Sequence, residues 1–265
     1  MCAASAAFRA RIILLGASNL TRGVSAAIAS AQRLLSSPLD VYIAAGHGRS
    51  YGMASRILVR ELPSILESRL WDALARQERL PTYSLITDVG NDVMYGVPPA
   101  QIMQWVETCM NRLQAVSNAV VCAGLPLARL ERVRPLQYLV ARSVFFPTNR
   151  FTLTDSIARA KDVHAGLQAL STKHRTHFVE LPQNWYGIDP IHIRRTQFSE
   201  AWSTILQPWK GDAASTWQEE TTTTAIRRWL TIRTKSPDRW RLLGMQRGRA
   251  QPCAVLQNGT RISLY

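Results

Sequence analysis

Lysine is nearly absent from this 265-residue chain: of its 32 basic residues only Lys161, Lys173, Lys210 and Lys235 are lysine, and 28 are arginine. Acids are also few, 18 in all, which leaves a net charge of +14. Such a surplus attracts anionic partners over long range. The arginines are spread thinly along the chain, however, as a composition bias would spread them, and only residues 221–265 are dense, with Asp238 their single acid. Cysteine is limited to Cys2, Cys109, Cys122 and Cys253, with no CxxC pair, which excludes a disulfide framework or zinc ribbon and points to a reducing compartment. Long apolar runs are missing too. The first, residues 12–15 (IILL), stops at Gly16, too short for a signal-peptide core or a membrane span. A cytoplasmic, soluble protein without a membrane span is expected. With 46% hydrophobic and 19% charged residues, the composition is neither disordered nor coiled-coil.

Short apolar runs are present, at 11–15, 39–45, 82–87, 119–123 and 176–180, and each reads as a buried strand. Between them lie stretches with helical spacing: Val24, Ile28, Ala31, Leu35; Ile65, Leu66, Leu70, Leu74; Ile102, Trp105, Val106, Cys109, Leu113; and Leu153, Ile157, Ala160, Val163, Leu167, Leu170. Parallel strands need crossover connections, so five such alternations predict a five-stranded parallel sheet with helices on both faces. In open sheets of this kind ligands bind beyond the carboxyl ends of the strands. Residues 125–150 carry Pro126, Pro135 and Pro147 and read as an insertion with a short helix at the rim of that site. Residues 1–210 are expected to form the catalytic domain. Residues 211–265 form a basic extension, a helical linker followed by a β-hairpin turning at Asn258-Gly259. Trp202, Trp209, Trp217, Trp229 and Trp240 are placed to pin that extension down.

Polar blocks follow the strands in order: Gly16-Ala17-Ser18-Asn19, Gly46-His47-Gly48, Val89-Gly90-Asn91-Asp92, and Asp189-Pro190-Ile191-His192. Each alone is a common turn or cap. Together, over residues 10–210, they resemble the SGNH, or GDSL-type, hydrolase family, with Ser18, Gly48, Asn91 and the pair Asp189 and His192 at the matching positions. Ala17 stands where the family commonly has aspartate, but no nucleophile, base or oxyanion donor is missing. The resemblance implies a flavodoxin-like three-layer α/β/α sandwich and hydrolysis of esters or related acyl compounds, with no metal and no cofactor.

The chemistry fits these residue types. A serine hydroxyl attacks only when an imidazole takes its proton, and the imidazole must be held in one tautomer by an acceptor. Asp189 and His192, three apart across Pro190, can form that unit for Ser18. The Ser18 and Gly48 N–H groups and the Asn91 amide are the expected oxyanion donors. A rival nucleophile is Ser50, because Gly48-Arg49-Ser50-Tyr51-Gly52 matches the Gly-x-Ser-x-Gly elbow of another hydrolase fold. Asp88 and Asp92 read as turn or cap residues, His164, His174 and His177 as rim histidines, and Arg49, Arg194 and Arg195 as rim residues that could meet a substrate anion. Trp185 and Tyr186 are either core or a substrate wall. A second class remains: a vestigial hydrolase fold binding nucleic acid or an anionic surface through its basic extension. A small acylated substrate is the favoured partner, nucleic acid is not, and the extension is expected to dock on the domain or form a homodimer.

Overall fold

A computed structural model describes residues 8–57, 59–146, 149–210 and 222–265. In chain order these form β1 (Ala10–Leu15), α1 (Ser18–Leu35), β2 (Leu39–Ala44), β3 (Ser55–Ile57), β4 (Arg60–Leu62), α2 (Leu70–Ala75), β5 (Thr82–Ile86), α3 (Gly90–Met94), α4 (Pro99–Gln114) and β6 (Ala119–Ala123). There follow α5 (Leu127–Leu130), α6 (Pro135–Phe145), α7 (Leu153–Lys173), β7 (His177–Val179), α8 (Phe198–Leu206), α9 (Thr222–Arg233), β8 (Arg239–Leu242), β9 (Met245–Gly248), β10 (Ala254–Val255) and β11 (Arg261–Leu264).

The five predicted strands lie parallel in the order β2-β1-β5-β6-β7. Successive side chains of a strand point to opposite faces, and β1 divides its apolar residues accordingly. Ile13 and Leu15 enter one core with α4 and α7, whereas Ile12 and Leu14 enter the other with α1 and α8. Both faces are therefore covered, giving the three-layer sandwich. Helix α1 packs closely on α8: a Cβ on Gly23 would meet the Trp202 indole at 2.1 Å.

The sheet has seven strands where five were expected. Beyond β2 the chain adds β11, parallel, with Arg261 opposite Asp40, and then β10, antiparallel to β11. The predicted hairpin thus forms, turning at Gly259 (φ 81°), and supplies the partner that the outer edge of β2 would otherwise lack. Asp40, fully buried, accepts from Arg11 Nε at 3.2 Å and Arg261 Nε at 2.9 Å, tying this strand to the core by charge. A second, four-stranded sheet, β3-β4-β8-β9, was not expected. It joins the excursion after β2 to the extension. Trp202 and Trp209 are buried; Trp240 is half-buried and Trp229 partly exposed, while Trp217 and Cys2 lie outside the described residues. Among the described residues no helix is long and apolar enough to cross a membrane. Cys109, Cys122 and Cys253 are buried free thiols.

Candidate active site

The strand order reverses between β1 and β5, and at such switch points the loops diverge to leave a crevice. The loop after β1 delivers Ser18 and the loop after β5 delivers Asp88 and Asn91. Ser18 opens α1, whose first N–H groups have no partner within the helix. Ala17 offers no side chain to cap them. Instead Asp88, from the neighbouring strand, accepts from Ala17 N at 2.9 Å and Leu20 N at 3.0 Å. Its carboxylate at the positive end of α1 is also electrostatically favourable. Asp88 adopts φ 61°, an unusual conformation for a residue with a side chain. The turn role expected of it is thus a cap on the serine's helix. Ser18 N, between the two capped positions, has no protein acceptor among the described residues.

The loop carrying Asp189 and His192 comes from the far side of the sheet. His192 Nε2 lies 2.9 Å from Ser18 Oγ, and His192 Nδ1 lies 2.7 Å from Asp189 Oδ2. Asp189 Oδ1 also accepts from the Ile191 and His192 backbone N–H groups, both at 3.2 Å. Burial opposes ionisation of Asp189, but the hydrogen bond and charge of His192 and the two N–H donors outweigh it and hold its pKa below the ordinary value. With Asp189 as acceptor, Nδ1 carries the proton and the Nε2 lone pair faces the Ser18 hydroxyl. Arg22 approaches Asp189 Oδ2 to 3.8 Å across the rim.

Asn19 was not singled out from the sequence. Its Nδ2 donates to Asp88 Oδ1 at 3.0 Å and to Ile191 O at 2.9 Å, and its Oδ1 accepts from Ile193 N at 2.8 Å. One amide therefore bolts the serine's helix to the loop that carries the imidazole. Its position beside Ser18 was the only hint in the sequence, since its partners lie far along the chain.

Asn91, near the start of α3, buries its Nδ2 with no hydrogen-bond partner. A buried donor left unpaired costs stability, and Asn91 lines the cavity described below. Gly48 is buried with φ 63°, in the region that favours glycine, and its carbonyl accepts from Tyr95 OH at 2.6 Å. It is not part of the wall of the cavity described below, which Ser18, Asn91 and His192 share. The next residues of its loop are fixed to α3 by Asp92, fully buried, whose Oδ2 accepts from Tyr51 N at 3.0 Å. Burial pushes the Asp92 pKa up to about 6, against the pull of the nearby Ser50 hydroxyl and Tyr51 N–H.

Ser50 has no exposed surface, and its Oγ accepts from Gly52 N and Met53 N. It does not line the cavity described below. Arg49 is likewise fully buried, donating to the carbonyls of Pro63 and Tyr265, so it offers no rim cation. Arg194 and Arg195 are exposed. His164, expected at the rim, is buried instead: Nδ1 accepts from Leu125 N at 3.1 Å and Nε2 meets Glu180 at 3.1 Å, which orders the loop after β6. Trp185 is core, while Tyr186 contributes to a cavity wall. Among the described residues no cluster of acids, histidines and cysteines could hold a metal ion.

A cavity of about 590 Å³ opens at Ser18, Asn91 and His192 and runs beneath α5, α6 and the start of α7. The inserted segment is therefore two helices roofing the site, where one short helix was expected.

No family model and no curated protein matches the chain by sequence. Solved structures do match by shape. Est24, a carbohydrate acetylesterase from Sinorhizobium meliloti, aligns with a TM-score of 0.51 at 15% identity, over 75% of this chain and 97% of its own. A member of the lipolytic G-D-S-L family from Veillonella parvula aligns at 0.49 and 9% identity, over 75% and 97%. AlinE4, an SGNH-hydrolase family esterase, aligns at 0.40 and 14%, over 83% and 91%. The chain thus has the three-layer α/β/α fold that the resemblance implied, and shares it with Est24.

Proposed function

We propose that the chain is a serine hydrolase of carboxylic or acyl esters, acting through an acyl-enzyme. The observation that carries this reading is the unbroken relay from Ser18 Oγ through His192 to Asp189, at 2.9 and 2.7 Å, built from residues 174 and three positions apart. Ser18 Oγ attacks the substrate carbonyl carbon while His192 Nε2 takes its proton. Asp189 holds the ring and stabilises the imidazolium that results. The carbonyl oxygen becomes an oxyanion, and Ser18 N–H and the Asn91 Nδ2 amide, both without protein partners among the described residues, are the donors available to it; Gly48 N–H, expected as a third, lies outside the cavity wall. Collapse of the tetrahedral adduct expels the alcohol, which takes the proton from His192. A water activated by the same imidazole then releases the acid and restores Ser18.

A binding role for the basic extension has less support, because its hairpin is a structural part of the main sheet and its α9 packs on α1 through Arg228 Nε to Ser25 Oγ, 3.0 Å. The test is hydrolysis of p-nitrophenyl acetate. The wild type should turn it over with a burst of nitrophenol, and Ser18→Ala and His192→Ala should each lose on the order of 10⁴-fold or more in kcat. Unchanged turnover in Ser18→Ala would refute the assignment.

A further inference from the structure

We infer that the cavity beneath α5 and α6 receives the acyl chain of the substrate, an extended aliphatic chain, and that the side chains at its far end set the length accepted. The inference rests on Ser18 being the nucleophile. The carboxylates of the cavity wall, Asp88 and Asp189, and the His192 imidazole all stand at the Ser18 end. The wall contributed by α5 to α7 is largely apolar: Leu130, Val133, Phe146, Leu153 and Ile157. Most of its polar atoms already have partners within the protein. Tyr138 OH bonds to Phe151 O at 2.9 Å and to Ser156 Oγ at 2.6 Å, and Gln137 Oε1 accepts from Arg134 N at 3.2 Å. The buried, unpaired Tyr186 hydroxyl lies back toward Asp88, whose charge it feels. A sugar or other polar group placed deep in the cavity would therefore lose its water and gain no partner, while a hydrocarbon chain loses nothing. The volume, about 590 Å³, lies in the range of pockets that enclose a whole small ligand, far more than an acetyl group fills.

Assigning the chain to the acyl half follows from the proton path. The leaving alcohol must take its proton from His192, which lies beside the half-exposed Asp189 at the open rim. The alcohol then departs to solvent, and the acyl group, still bonded to Ser18, stays in the enclosed part. Leu136, Val140 and Ile188 are exposed and also line the cavity, so they extend the apolar wall to its mouth.

The experiment measures kcat/KM for p-nitrophenyl esters of straight-chain acids from two to twelve carbons, beside alkyl acetates of the same lengths. Each buried methylene contributes about 0.8 kcal/mol, so kcat/KM should climb about fourfold per methylene in the acyl series until the cavity is full, then fall. The alkyl acetate series should stay nearly flat. Leu130→Trp and Ile157→Trp, which take space within the apolar part of the cavity, should move the break to shorter chains; thermal stabilisation of Ser18→Ala by decanoate reads occupancy without turnover and should exceed that by acetate. A flat acyl profile in an enzyme that hydrolyses the acetate through Ser18 overturns the inference alone, as does a climb confined to the alcohol series. No hydrolysis at any length, with no reaction of Ser18 towards a fluorophosphonate, overturns the proposed function and the inference with it.

Discussion

Replacing Asn19 by alanine should cost far more activity than stability. The amide makes three hydrogen bonds, to Asp88 Oδ1, Ile191 O and Ile193 N, at 3.0, 2.9 and 2.8 Å, and the last two bracket His192. Its removal leaves the N–H of Ile193, a buried residue, without its acceptor, at about 1–3 kcal/mol. The loop stays partly anchored by the bridge between Tyr186 and Ile193 and by the bonds Asp189 makes within it, so the chain should remain folded. The distance from Nε2 to Ser18 Oγ, however, is no longer fixed from the Ser18 side, and a displacement of about 1 Å at a reacting pair typically costs about 100-fold. We expect kcat on p-nitrophenyl butyrate to fall about 100-fold in Asn19→Ala, with the loss in urea-unfolding free energy confined to a few kcal/mol. Asn19→Asp separates positioning from packing. It keeps an acceptor for Ile193 N but turns an oxygen towards Asp88 and Ile191 O, and it should be at least as impaired as alanine. A folded Asn19→Ala enzyme with kcat within threefold of wild type would refute the reasoning.

Three further outcomes follow from the same geometry. Asn91→Ala should lower kcat about 100- to 1,000-fold while leaving the melting temperature nearly unchanged, because the Nδ2 lost has no protein partner among the described residues; a large fall in melting temperature would make Asn91 structural. Asp92, with its pKa raised from 3.8 to about 6, binds its proton more tightly in the folded state, so its contribution is full below about pH 4 and declines as pH rises through 6. Urea unfolding of Asp92→Asn against wild type should accordingly show the variant gaining about 3 kcal/mol of relative stability between pH 3.5 and 7.5, and a pH-independent difference would contradict this. Asp40→Ala, which strands the buried Arg11 and frees Arg261 of the terminal strand, should destabilise the fold by about 3–5 kcal/mol in the same assay; a loss under 1 kcal/mol would show that the pair adds little.

The parallel strands were legible because each is a short apolar run, buried on both faces in β1 and β2 and partly exposed at the edge strand β7, and the polar blocks after them carry the residues Ser18, Asp189 and His192 that the fold brings together. What was hidden depends on partners distant along the chain. Asp88 looked like a turn residue because its work is done on Ala17 and Leu20, one strand away in space and about 70 positions away in sequence. Asn19 was silent for the same reason. The tail's hairpin signal at Asn258-Gly259 was plain, but nothing local says that its second strand lies against β2, so two strands of the main sheet and all of the smaller one went uncounted. His164 was misplaced because an imidazole on a helix gives no sign of the backbone N–H it will meet, here that of Leu125.

The central claim is that Ser18 is the nucleophile, and it is tested most directly by treating the protein with a fluorophosphonate and mapping the adduct by peptide mass analysis. The account predicts a single phosphonylated site at Ser18, absent in Ser18→Ala, much slowed in His192→Ala and retained in Ser50→Ala. Labelling at Ser50, or no adduct on folded protein, would contradict it.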